Sequence, residues 1–179
     1  MSEKILVIHP DDICFAESEL FKFIYEGKGY DVIGDVDISD EELAEQLCSH
    51  DMIFFIWIVG DDGLMVYGKN GEPRYMINDT HVHLLRDKRL LSIGGKGFFE
   101  RNGLPGLHTD TIITSGFQAC LYDMDDYTDE EIKASLMPLL SAIRDAIEIE
   151  DPQEIKRIIL DRYNADDAIT QFNRRSIDS

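Results

Sequence analysis

Basic residues are scarce in this chain: 17 Lys and Arg stand against 36 Asp and Glu among 179 residues, for a formal charge of −19. Such a field repels nucleic-acid phosphates and anionic lipid headgroups, so neither nucleic acid nor a membrane surface is an expected partner. Cysteine is nearly absent. Cys14, Cys48 and Cys120 are odd in number and far apart, which argues against a disulfide framework and for reduced thiols in a cytoplasmic compartment. No apolar run approaches the ~20 residues of a transmembrane helix. The N-terminus passes from Lys4 straight into a strand, without a signal peptide's apolar core. Internal repeats, low-complexity tracts and linkers are missing as well. Residues 1–179 therefore read as one domain, with 164–179 as a possibly frayed tail.

What the chain does have is periodic apolar sequence. Met52 to Ile58 is a continuous apolar run closed by Gly60, the pattern of a strand buried on both faces. Lys4 to Ile8 is an earlier strand ending at His9-Pro10. Ile13, Ala16, Leu20 and Ile24 then recur at helical spacing until Gly27 and Gly29. Tyr30 to Ile33 is a second strand. Ser39 with Glu42 forms a capping-box pattern that opens a helix carrying Leu43 and Leu47. Two strand–helix units feeding a doubly apolar strand imply a parallel sheet covered on both sides.

Beyond the central strand, Leu64 to Tyr67 and Glu72 to Met76 flank Asn70-Gly71, a hairpin signal. A short helix over Thr80 to Arg86 and a fourth strand over Arg89 to Ile93 follow. Phe98 to Asp110 reads as a loop and Thr111 to Thr114 as a fifth strand. Thr128 with Glu131, and Asp151 with Pro152, start the last helices, the first of which should kink at Pro138. The expected architecture is a three-layer α/β/α sandwich with a mostly parallel five-stranded sheet and a small β-ribbon after the third strand.

Three stretches bear on chemistry. His9-Pro10-Asp11-Asp12 lies at the carboxyl end of the first strand, where open α/β sheets present ligands. It resembles the signature of the zinc-dependent de-N-acetylases. That resemblance implies His9 and Asp12 as metal ligands and Asp11 as the base activating a zinc-bound water, with Thr80-His81-Val82-His83 the nearest source of a third ligand. The plainer alternative is an Asp N-cap after a strand-ending proline.

Over a longer span the chain resembles the caspases. Val59-Gly60-Asp61-Asp62-Gly63 stands where that family has a strand ending in His-Gly, and Tyr67-Gly68-Lys69-Asn70-Gly71 matches its ribbon. Ile93-Gly94-Gly95-Lys96-Gly97 stands where the strand ends in Gln-Ala-Cys-Arg-Gly. Gly29 to Ile33, His108 to Ser115 and the helices over 136–149 and 153–164 extend the likeness. It implies a caspase-like fold in which Val59 replaces the imidazole base and Gly95 the nucleophilic thiol, so that no catalytic residue remains. The acidic-substrate pocket is altered too, with Ile93 at the glutamine position and no arginine between Ser115 and Tyr127. The short segment over 98–109 implies an unprocessed chain. The absence of a sixth strand implies a monomer or weak oligomer. The implied role is that of a pseudoenzyme, a regulatory or decoy module for a protease or signalling protein, as in the control of apoptosis.

Phe117-Gln118-Ala119-Cys120 spells the caspase nucleophile tripeptide but follows the wrong strand. A buried or partly exposed structural cysteine is expected there. Gly94 to Gly97 could instead cradle a phosphate in a flavodoxin-like flavin site, with Trp57 or Tyr67 for stacking. Neither a cofactor nor a metal is required by the caspase-like reading, and a protein partner is.

Overall fold

In the computed structural model, residues 3–11, 16–56 and 62–179 are described. The central sheet runs β2-β1-β3-β6-β7, all parallel, with β1 at Ile5–Ile8, β2 at Asp31–Ile33, β3 at Met52–Ile56, β6 at Arg89–Ile93 and β7 at Leu107–His108. The ribbon expected after the third strand is β4 (Leu64–Tyr67) paired antiparallel with β5 (Pro73–Ile77). Its turn is closed by Gly71, whose N–H donates to the Gly68 carbonyl at 2.8 Å and whose φ of 78° a residue with a Cβ adopts only under strain.

The strand side chains alternate between two helical layers. Ile5, Val7, Met52, Phe54, Ile56, Leu91, Ile93 and Leu107 face α1 (Lys22–Tyr25), α6 (Asp129–Ala146), α7 (Pro152–Arg162) and α8 (Ala168–Asp178). Leu6, Ile8, Ile53, Phe55 and Leu90 face α2 (Asp40–Ser49), the ribbon, α3 (Val82–Leu85) and α4 (Lys96–Arg101). Period-2 geometry with both faces covered makes every residue of β1 and β3 buried, which is why those segments carry no polar alternation. Each large side chain so placed stabilises the fold by about 1.5–3 kcal/mol relative to an exposed one.

The caps work as their sequences suggest. Ser39 and Glu42, and Thr128 and Glu131, exchange side-chain and backbone bonds at the starts of α2 and α6, and Asp151 caps α7 ahead of Pro152. Pro138 sits inside α6 without ending it. Thr80 to Arg86 is a 3₁₀ turn over Asp79–His81 followed by α3.

Four stretches depart from expectation in whole or in part. Helical spacing from Ile13 to Ile24 predicts one helix; its described part is a 3₁₀ helix over Ala16–Phe21 and a single α turn, α1. Thr111 to Thr114, expected as the fifth strand, pairs with no strand among the described residues. The Asn173 side chain accepts from the Ile113 N–H at 2.8 Å and donates to its carbonyl at 3.3 Å, and Gln118 accepts from the Thr114 N–H at 2.7 Å. Side chains thus supply what a ladder would. The fifth strand is β7, inside the stretch read as a loop, and α4 occupies the start of that stretch because Phe98 and Phe99 are buried beneath it. Finally, the tail, expected to be helical at first and frayed at its end, is helical over α8 as far as Asp178, and its Ile169, Thr170, Asn173, Ser176 and Ile177 are buried.

Candidate functional site

The carboxyl ends of the parallel strands form the edge at which sheets of this order bind ligands, with the β1/β3 boundary as the point where strand order reverses. At the end of β1 the ladder continues past Ile8. The His9 N–H donates to the Ile33 carbonyl at 2.9 Å and the Asp11 N–H to the Gly34 carbonyl at 2.8 Å. A Cβ on Gly34 would come within 2.8 Å of the Asp11 carboxylate, the end of an exposed side chain that can turn aside. Asp11 itself is exposed. Asp12 lies outside the described residues, as do Trp57, Val59 and Gly60 after β3.

His9 is the unusual group of this edge. It is 3% exposed, and its Nδ1 pairs with the Tyr25 hydroxyl at 2.9 Å while the two rings meet edge to face. Its Nε2 is buried and has no hydrogen-bond partner among the described residues. Burial first, and then the charge of Lys22, pushes its pKa down to about 4, against smaller opposing effects of Asp11 and Glu19. The imidazole is therefore neutral near pH 7. Tyr25 is pushed up to about 12 by burial and by the carboxylates of Asp11, Glu19 and Glu26, so its phenol keeps its proton. His50, by contrast, is equally buried but satisfied at both nitrogens, by the Gln46 carbonyl at 2.7 Å and Asp31 at 2.8 Å.

The residues proposed as a zinc set do not converge within the described part of the chain. His81 is buried in the 3₁₀ turn before α3, where its Nδ1 accepts from the Asn78 N–H at 3.4 Å. Burial lowers its pKa, and the charges that act on it are those of Asp40, His83 and Arg74, a set distinct from the Lys22, Asp11 and Glu19 that surround His9. No group of three His, Cys, Asp or Glu side chains among the described residues could hold a metal ion.

The end of β6 is closed. Ser92 donates to the Gly94 carbonyl at 2.5 Å, the Gly94 N–H donates to the Thr109 hydroxyl at 2.7 Å, and the Lys96 N–H donates to the Thr109 carbonyl at 3.2 Å. Gly95 caps α4 at φ 75° and ψ 16°, a left-handed conformation that glycine adopts without a steric penalty. The N–H groups of Gly94 and Lys96 are thus committed to Thr109, which leaves this loop a poor phosphate cradle. At the β1/β3 boundary the exposed Asp11 carboxylate further opposes a phosphate.

Cys120 is exposed rather than structural, at the C-terminal end of α5 (Gly116–Cys120). A hydrogen bond to Asp125 pushes its thiol pKa up, the opposite of what a nucleophile needs. His108, the imidazole nearest in sequence, stacks on Phe99 at 4.0 Å, with both ring nitrogens buried and without hydrogen-bond partners among the described residues. Burial pushes it down to about 4, although the carbonyls of Leu104 and Pro105 favour its protonated form.

Compared with known proteins, the chain matches no family model and no curated protein. Two groups on this edge escape sequence reasoning. Tyr25 is separated from His9 by a segment without a motif, and Thr109 lies well beyond the glycines it locks. Both pairings come from crossover connections that place distant chain at one sheet end. Among the described residues no helix is long and apolar enough to cross a membrane.

Proposed function

We propose that this chain is a catalytically inactive caspase-like domain that acts by binding a protease or signalling protein, in a cytoplasmic setting. The observation that carries this reading is the conformation at the end of the fourth parallel strand. Where the caspase register calls for a thiol, Gly95 is left-handed, and the preceding Gly94 is bonded to Thr109. A cysteine there would be strained by the left-handed backbone. The ribbon between β3 and β6 supports the same reading, since it follows the pattern that the resemblance implies. Fold likeness does not by itself assign function, so the reading is tested chemically. A thiol-directed peptidyl electrophile with an acidic anchor residue should leave the chain unlabelled beyond the rate of a simple alkylating agent. Peptide-dependent labelling at Cys120 would move the nucleophile there and end this reading.

A zinc hydrolase is kept as a second reading for one reason. His9 offers a buried, neutral imidazole whose Nε2 has no described partner, which is the state of a metal ligand. It predicts about one zinc per chain, lost in His9→Ala. The flavin alternative has weaker support, given the closed glycine loop.

A further inference from the structure

The two most exposed large apolar side chains among the described residues are neighbours: Phe117 is 76% and Leu121 65% exposed. They are one helical turn apart on α5 and its C-cap, on chain that leaves the carboxyl end of β7. Tyr122, 40% exposed, adjoins them, and its ring packs on Phe172 at 4.5 Å between centroids. Folding ordinarily hides such side chains, and a cluster of them rimmed by polar groups marks an interaction surface. One side of the rim is acidic. Asp123, Asp125, Asp126, Asp129 and Glu130 are all exposed, and none forms an ion pair among the described residues. Arg175, over the Phe172 ring, is a cation on the patch's other flank.

We infer that this surface docks a basic amphipathic segment of a partner protein, its apolar side chains on Phe117, Leu121 and Tyr122 and its lysines or arginines against the Asp123–Glu130 rim. Charge decides among occupants. A second copy would bring the same carboxylates to a two-fold contact, where they repel, and an anionic membrane would be repelled too. A basic segment instead gains both apolar burial and electrostatic steering. The inference rests on the reading of the chain as a protein-binding module and gives that module a surface.

The test uses the full chain and a fluorescein-labelled amphipathic helical peptide of Lys, Leu and Trp, with a second peptide carrying Glu in place of Lys as its control. Binding should require the Lys peptide and weaken with added salt. It should fall about tenfold in Phe117→Ser with Leu121→Ser, an effect typical of losing interface anchors. Both residues are exposed, so the double variant should fold, which circular dichroism checks. Asp123→Asn, Asp125→Asn and Asp126→Asn together should also weaken binding, whereas Glu41→Gln, Glu45→Gln and Asp87→Asn, which remove the same charge elsewhere, should not. The peptide should slow alkylation of Cys120 but not of Cys48, which is exposed on α2. Equal weakening by both charge sets, binding unaffected by the Ser substitutions, no binding at all, or a concentration-dependent dimer lost in the Ser variant would each overturn the inference. None of these outcomes would revive catalysis. Peptide-dependent labelling of Cys120 would remove the binding-module reading separately, whatever the patch binds.

Discussion

The ends of β1 and β6 lie on the same edge of one sheet, separated by β3, yet they are built to opposite rules. At β6 the loop is closed from every side: Ser92, Gly94, Lys96 and Thr109 satisfy one another and Gly95 turns the chain into α4. At β1 a histidine is buried with one nitrogen paired and the other bare among the described residues. A satisfied network fixes a conformation, whereas an unsatisfied buried nitrogen is a standing cost that a fold ordinarily avoids. The difference teaches that the loop after β6 is given over to structure, while the unsatisfied buried polar group of this edge lies at His9.

Acid should expose that difference most strongly. His9 titrates at 6.5 when free and at about 4 when folded, so between those values the unfolded chain holds the proton that the folded chain refuses. The contribution of neutral His9 is full above pH 6.5, declines as pH falls, and is gone below about 4, a loss on the order of 3 kcal/mol. His108 acts with the same sign over the same window. Urea midpoints for the chain and for His9→Asn should therefore converge on acidification, and parallel curves would contradict the burial of His9.

At β6 the largest expected effect is smaller. Thr109→Val leaves the buried Gly94 N–H without its acceptor and should cost about 2 kcal/mol, with Thr109→Ser restoring most of it. If Thr109→Val and Thr109→Ser unfold at the same denaturant concentration, the loop is not held as described. Removing the hydroxyl in Tyr25→Phe deprives His9 of its one side-chain partner among the described residues and should cost about 1.5 kcal/mol by the same denaturant measurement. Smallest of all, Gly95→Cys should cost about 1 kcal/mol for its left-handed backbone and should not gain peptide-directed reactivity. A gain of reactivity would place a base within reach and weaken the contrast between the two strand ends.

Much of this edge is legible in the sequence because it follows from period and caps. The doubly apolar run over β3, the Asn70-Gly71 ribbon and the capping boxes at Ser39 and Thr128 are local signals, and local backbone geometry answers them. The failures are tertiary. Thr111 to Thr114 has strand composition, but Asn173, sixty residues on in sequence, takes the Ile113 backbone, which no propensity can foresee. Phe98 and Phe99 make a helix and a strand of what glycines and a proline suggest is a loop. For the site, the His9 motif is visible but its Tyr25 partner is not. The apolar neighbours of the acidic residues after Cys120 emerge only from the exposure of Phe117 and Leu121.

Native mass spectrometry of the chain purified without added metal, before and after denaturation, tests the central claim most directly. The account predicts the bare chain mass in both states. A zinc or flavin mass released on denaturation would contradict it and make the edge at His9, or the glycine loop, an active site.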